Sequence, residues 1–249
     1  MSGHSKWHNI RLRKAKQDAV RGKLFTKLGR EILVAARQGG GNLEANTRLR
    51  LAIEKARDAS MPQDNIKRLV DRATGQAEDV HYQEVTYEGY GPGGVAVLVD
   101  AVTDNRNRTL NEIRNIFSRA GGSLGEPGSV AWMFTSKGVI LVGKAAAEED
   151  RLLEIALDAG ADDLTSGDSS YQITAAPGQL DPIKAALQAN GIPYESAELE
   201  MIPQSTVPVA GRQAEQVLRV MEELEEHDDV QRVHANFDIP DSVIEAMAA

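Results

Sequence analysis

The chain has 249 residues, 41% apolar and 4% aromatic, and its 28 Lys+Arg against 37 Asp+Glu leave a formal net charge of −9. That length predicts two or three domains with aliphatic cores rather than one. The absence of cysteine excludes disulfides, thiolate metal sites and cysteine nucleophiles. No apolar run approaches the roughly 18 residues of a membrane span, and a cytoplasmic protein without membrane contact is expected.

The charge is strongly segregated. Residues 1–72 carry 17 Lys+Arg and 7 Asp+Glu, a balance of +10, whereas residues 73–249 carry 11 and 30, a balance of −19. The first 30 residues hold nine cations and the single acid Asp18. A basic arm on an acidic body points to a polyanionic partner for the arm. Residues 1–37 share their basic, acid-poor character with transit peptides, but they run smoothly into a packed helical pattern, so a folded domain is expected.

The opening stretch, residues 2–16, is too polar to build a core. It sets Trp7 between Lys6 and His8, a ring able to stack on a base while neighbouring cations take phosphates; pinning the arm to the adjoining bundle is the alternative role for that ring. Three helices follow. Leu24, Leu28, Ile32, Ala35 and Ala36 fall on one face of the first, with Lys23, Lys27, Arg30 and Arg37 nearly opposite, and Gly39-Gly40-Gly41 ends it. The second spans about residues 46–59, with Leu49, Ala52, Ile53 and Ala56 inward. Ser60 is expected to cap the third, Pro62 to sit in its first turn, and Ile66, Leu69, Val70 and Ala73 to form its stripe.

From residue 82 the pattern changes to short β-rich runs alternating with helices. Strands are expected at 85–87, 95–99, 130–134, 138–142, 171–174, 195–202 and 230–235. Helices are expected at 107–120, 147–159, 180–190 and 213–226. This alternation predicts α+β sandwiches. Residues 137–204 read as a β-α-β-β-α-β unit. The resulting division is an all-α domain over 1–79, a discontinuous α+β domain over 80–136 plus 205–249, and an α+β domain inserted over 137–204.

Gly89-Tyr90-Gly91-Pro92-Gly93-Gly94 matches G-x-G-x-x-G in letters only. A dinucleotide fingerprint follows a strand and opens a helix; here Pro92 interrupts it and a strand follows, so a tight connection is expected. His4 and His8 have i,i+4 spacing but sit among cations without a third ligand, and His81, His227 and His234 are scattered, so no metal site and no cofactor are expected. Thr103-Asp104-Asn105-Arg106-Asn107-Arg108-Thr109 supplies a helix cap in Asp104 or Asn105. Arg106, Arg108 and Arg114 would project near that helix start as a second phosphate contact, with pairing to Asp100 or Glu112 as the competing role. Asp100 with Asp104 is the nearest approach to the carboxylate pair of a metal-dependent nuclease, and nothing convergent accompanies it. The acidic run 222–229 reads as a solvated helix face, or as a surface that repels nucleic acid or meets a basic protein.

The motifs Gly3-His4-Ser5-Lys6-Trp7-His8-Asn9-Ile10, Arg11-Leu12-Arg13-Lys14-Ala15-Lys16-Gln17-Asp18, Gly22-Lys23-Leu24-Phe25-Thr26-Lys27-Leu28, Asn42-Leu43-Glu44-Ala45-Asn46-Thr47-Arg48-Leu49-Arg50, Tyr87-Glu88-Gly89-Tyr90-Gly91-Pro92-Gly93-Gly94 and Thr103–Thr109 closely resemble the YebC family, over residues 2 to about 240. The resemblance implies a helical N-terminal domain and two α+β domains. It implies a probable transcriptional regulator binding DNA, in a family that also includes a mitochondrial translational activator and bacterial relatives linked to ribosomes stalled on proline-rich stretches. It brings no enzymatic activity. Lys6, Trp7, His8, Arg11, Arg13, Lys14 and Lys16 match its N-terminal motif and are the foremost candidates for contact, continued along the first helix by Lys23, Lys27 and Arg30. The resulting expectation is a non-enzymatic regulator bound to ribosomal RNA or the ribosome, with DNA binding in transcription as the alternative.

Overall fold

The computed structural model describes residues 18–75, 82–167 and 169–239. It is a multidomain α+β protein in which a helical domain precedes two domains built on sheets. Helices α1 (Asp18–Gly39), α2 (Thr47–Asp58) and α3 (Gln63–Thr74) pack around Ile32, Leu33, Leu49, Ile53, Ala56 and Ile66. These are the apolar stripes of the three sequences turned toward one another. Asn46 caps α2: its side-chain oxygen accepts the Leu49 N–H at 3.0 Å, while its amide nitrogen donates to the Ala35 and Gly40 carbonyls at 2.8 Å each. Ser60, expected to cap α3, instead occupies the left-handed region at φ 63°. Pro62 stands at the cap position without a side-chain bond, because a four-residue turn must reverse the chain between α2 and α3.

The second domain holds a sheet in the order β3-β1-β2-β9, from β1 (Gln83–Tyr90), β2 (Ala96–Thr103), β3 (Ser123–Leu124) and β9 (Val230–Ala235). Helices α4 (Arg106–Arg119) and α7 (Gly211–Glu226) cover one face. Strand β2 is an almost unbroken apolar run because both its faces are buried. Val97, Val99 and Ala101 meet the helices. Ala96 and Leu98 point the other way, to Val130, Phe134 and Met201. Gly89 is required where α4 crosses β1, since a Cβ there would lie 2.8 Å from the Ser123 carbonyl oxygen and 3.0 Å from the Phe117 ring. The Gly-rich run turns β1 into β2 through a single 3-10 turn at Pro92–Gly94, with Gly93 at φ 74°.

The other sheet, ordered β5-β6-β4-β7, comprises β4 (Phe134–Gly143), β5 (Ala161–Ser166), β6 (Ser170–Ala175) and β7 (Ser196–Pro203). It is covered by α5 (Glu149–Asp158) and α6 (Leu180–Ala189) over a core containing Ile140, Leu152, Ile173 and Leu187. Two-residue strands β8 (Val207–Pro208) and β10 (Phe237–Asp238) pair parallel.

The expected strand at 130–134 is absent. Residues Ala131–Met133 form a 3-10 turn, and one ten-residue strand begins at Phe134. The cause is Glu88, a buried carboxylate on β1 that accepts the N–H groups of Gly128, Val130 and Ala131 at 2.6, 2.7 and 2.8 Å. Those donors are therefore lost to any ladder. Burial pushes the Glu88 carboxyl up, but the three N–H bonds outweigh it and hold it below the ordinary range.

Candidate nucleic-acid interface

Of the cations read from the sequence, Lys6, Arg11, Arg13, Lys14 and Lys16 lie outside the described residues, as do Trp7 and His8. Lys23 is exposed on α1. One and two turns further on, Lys27 and Arg30 do not project into solvent but meet the second domain. The Lys27 ammonium donates to the Glu225 carbonyl oxygen, and Arg30 donates to the Asp228 carbonyl oxygen and, at 2.7 Å, to the Asp229 carboxylate. The Arg30 guanidinium also lies over the Tyr82 ring, 5.6 Å from its centre.

Asp229 is the centre of this junction. It sits immediately before β9 with its side chain only 3% exposed. Arg108 donates to it at 2.7 Å, the Thr109 hydroxyl at 2.6 Å and the Thr103 hydroxyl lies at 3.2 Å. Burial raises the Asp229 carboxyl, but the Thr109 and Arg108 bonds and the charges of Arg30 and Arg108 prevail and hold it below the usual carboxylate range. The converse holds for Arg108, whose guanidinium is held charged above all by Asp229. Asn105 caps α4 by accepting the Arg108 N–H at 3.1 Å, which aims the Arg108 side chain at Asp104 (2.8 Å) and Asp229. Of the two pairings expected for Arg108, Glu112 is found at 3.9 Å, but Asp104 and Asp229 stand in place of Asp100. Arg106 is exposed on the first turn of α4.

His227 is not isolated, as its place in the sequence suggested. Its Nδ1 accepts the Asp229 N–H at 3.1 Å, which leaves Nε2 to face the Glu112 carboxylate at 2.9 Å. Glu112, His227 and Asp229 bring ligand-type atoms within 4.8 Å of one another. The residues do not suit a metal ion, because Arg30, Arg108 and the Thr109 hydroxyl already occupy both Asp229 oxygens and the two guanidinium groups supply the positive charge there. A cleft of about 510 Å³ opens beside this cluster, with Lys23 on one wall and Glu226 on another. Asp100 and Asp104 serve different partners: Asp100 accepts from the Thr86 hydroxyl at 2.8 Å and faces His234 at 3.6 Å, whereas Asp104 pairs with Arg108.

Two further contacts tie the helical domain to the body. Arg48 on α2 donates to the Glu84 carboxylate, and the Gln38 amide adds a bond at 3.2 Å. The Arg48 bond holds the Glu84 carboxyl below its ordinary range. Lys55 on α2 donates to Glu198 on β7 at 2.8 Å. Two residues along the same face stands Glu200, its Oε2 sealed from solvent. Burial and the neighbouring Glu198 push the Glu200 carboxyl up to about 7 against the pull of Arg232 and Lys55. The sequence alone did not single out Glu84, Glu88, Glu198, Glu200 or Asp229; each is one acid among many until the fold brings its partner from far along the chain.

Comparison with known proteins places the chain. Residues 5–76 match the model of the TACO1/YebC protein N-terminal domain, and residues 82–237 match that of the TACO1/YebC second and third domain. The chain belongs to the TACO1/YebC family. A protein of Pelotomaculum thermopropionicum named probable transcriptional regulatory protein is 55% identical over 97% of this chain and 100% of its own. One of the same name from Dictyoglomus turgidum is 51% identical over the full length of both. The crystal structure of a conserved hypothetical protein, Aq1575, from Aquifex aeolicus is similar with a TM-score of 0.82 and 48% identity, over 90% of this chain and 93% of that one.

Proposed function

We propose that this protein is a non-enzymatic cytoplasmic regulator of gene expression that holds nucleic acid through its basic N-terminal domain. The partner we favour is ribosomal RNA, on a ribosome whose stalling the protein relieves. The observation that carries this is the segregation of charge, +10 over residues 1–72 against −19 over the rest. Such a dipole orients the chain with its amino-terminal side toward phosphate. The names of the relatives support the regulatory role. Contact is assigned to Lys6, Trp7, His8, Arg11, Arg13, Lys14 and Lys16, with Lys23 beside them and Arg106 as an outlying cation. The exposed face of α3 supports RNA over duplex DNA: it sets Asp64 and Asp71 among Lys67, Arg68 and Arg72, a mixed surface rather than the cationic one that a groove-reading helix presents.

The same relatives' names favour a second reading, a transcriptional regulator on duplex DNA. Affinities for a ribosomal RNA fragment, for intact ribosomes and for promoter duplexes, measured at one salt concentration, separate the two. Tighter binding to RNA and ribosomes is expected; sequence-dependent, tighter binding to a promoter duplex would replace the first reading with the second.

A further inference from the structure

The cations that line the junction are held by groups that resemble a phosphodiester to them. Lys27 and Arg30 on α1 face two backbone carbonyl oxygens and the Asp229 carboxylate; Arg48 on α2 faces the Glu84 carboxylate; Lys55 faces the Glu198 carboxylate. Four cations of the basic domain are thus matched by acceptors of the acidic body, drawn from three separate segments around residues 84, 198 and 225–229. One contact, Glu31 with Arg232 at 3.8 Å, has the opposite polarity. Among the described residues these links are polar, whereas the second and third domains meet through a shared apolar cluster of Ala96, Leu98, Val130 and Phe134.

From this we infer that docking of the helical domain onto the body is autoinhibitory: Glu84, Glu198 and Asp229 compete with RNA phosphates for Arg48, Lys55 and Arg30, and bound RNA loosens the docked arrangement. The inference rests on the nucleic-acid reading above. Its physical basis is the weakness of the partly exposed pairs Arg48–Glu84 and Lys55–Glu198, with Arg30–Asp229 the more buried anchor, set against a polyanion that engages several cations at once and releases their counterions. Docking and RNA binding at these three residues then exclude each other, so each weakens the other by the same factor.

The test uses the full chain, whose lack of cysteine lets two labels be placed at Lys67→Cys on α3 and Asp158→Cys on α5, exposed positions that together leave the net charge unchanged. The variant Glu84→Gln/Glu198→Gln is compared with Glu149→Gln/Glu154→Gln, which removes the same charge from exposed positions on α5. A fluorescent 20-nucleotide single-stranded RNA in dilute buffer is the probe. The inference expects the junction variant to bind roughly three- to tenfold tighter than the control variant. It also expects the label distance in the unsubstituted junction to broaden or lengthen when RNA is added. Equal affinity in the two variants, or a label distance that RNA leaves unmoved, overturns autoinhibition while leaving the proposed function intact. Failure of every chain to bind the RNA, with ribosomes equally unbound, overturns both.

Discussion

The two junctions of this molecule are made of different materials. The helical domain meets the body chiefly through Arg30–Asp229, Arg48–Glu84 and Lys55–Glu198, with Tyr82 against its core, whereas the two sheet domains meet chiefly through Leu98, Val130, Phe134 and Met201, with one Arg232–Leu199 bond beside them. Apolar burial is not weakened by ionic screening. The partly exposed pairs Arg48–Glu84 and Lys55–Glu198 are individually weak and are screened by salt, and Arg30–Asp229 is the buried one of the three. The contrast teaches that charge bears most of the basic domain's attachment, so added charges act on it more than on the joint between the sheet domains.

The largest expected effect lies at the apolar junction. Phe134 is 6% exposed, and Phe134→Ala should cost about 3–5 kcal/mol through lost burial and a residual cavity, read as a fall in the urea midpoint. A loss below ~1 kcal/mol would mean that the sheet domains are not joined there. Next comes Glu200. Its carboxyl is raised from 4.5 to about 7, so between those values the folded state binds more protons than the unfolded one, and stability falls as pH rises through that window. Glu200→Gln should abolish this fall and stabilise the protein above pH 7 by at most roughly 3 kcal/mol. Parallel stability–pH curves for the two proteins would show that the carboxyl titrates normally. The smallest effect belongs to the ionic junction: Glu84→Gln should change stability by less than about 1 kcal/mol, since both partners are roughly two-fifths exposed. A loss comparable to that of Phe134→Ala would erase the distinction between the junctions.

Much of the fold was legible in the sequence because local pattern determined it. The stripe Leu28, Ile32, Ala35, Ala36 became the core face of α1, and strand β9 was read at its observed limits, Val230–Ala235, although the two-residue β10 that follows it was not expected. What failed depended on distant partners. Val130–Phe134 has strand composition, yet the N–H groups of Val130 and Ala131 answer to a carboxylate more than 40 residues earlier. The helical period put Lys27 and Arg30 outside the bundle, where they are found, but being outside one core does not distinguish solvent from the polar surface of the next domain. Arg30 and Asp229 are 199 residues apart, so no spacing in the sequence connects them. The cap at Asn105 was legible because capping needs only the next three residues.

The central claim is that amino-terminal cations hold the nucleic acid, and the salt dependence of RNA affinity tests it most directly. With about five phosphates neutralised, log affinity should fall against log salt with a slope of roughly −3.5 to −4.5. Replacing Arg13, Lys14 and Lys16 by Ala should weaken binding and flatten that slope by about 2. An affinity and slope unchanged by the triple replacement would contradict the account.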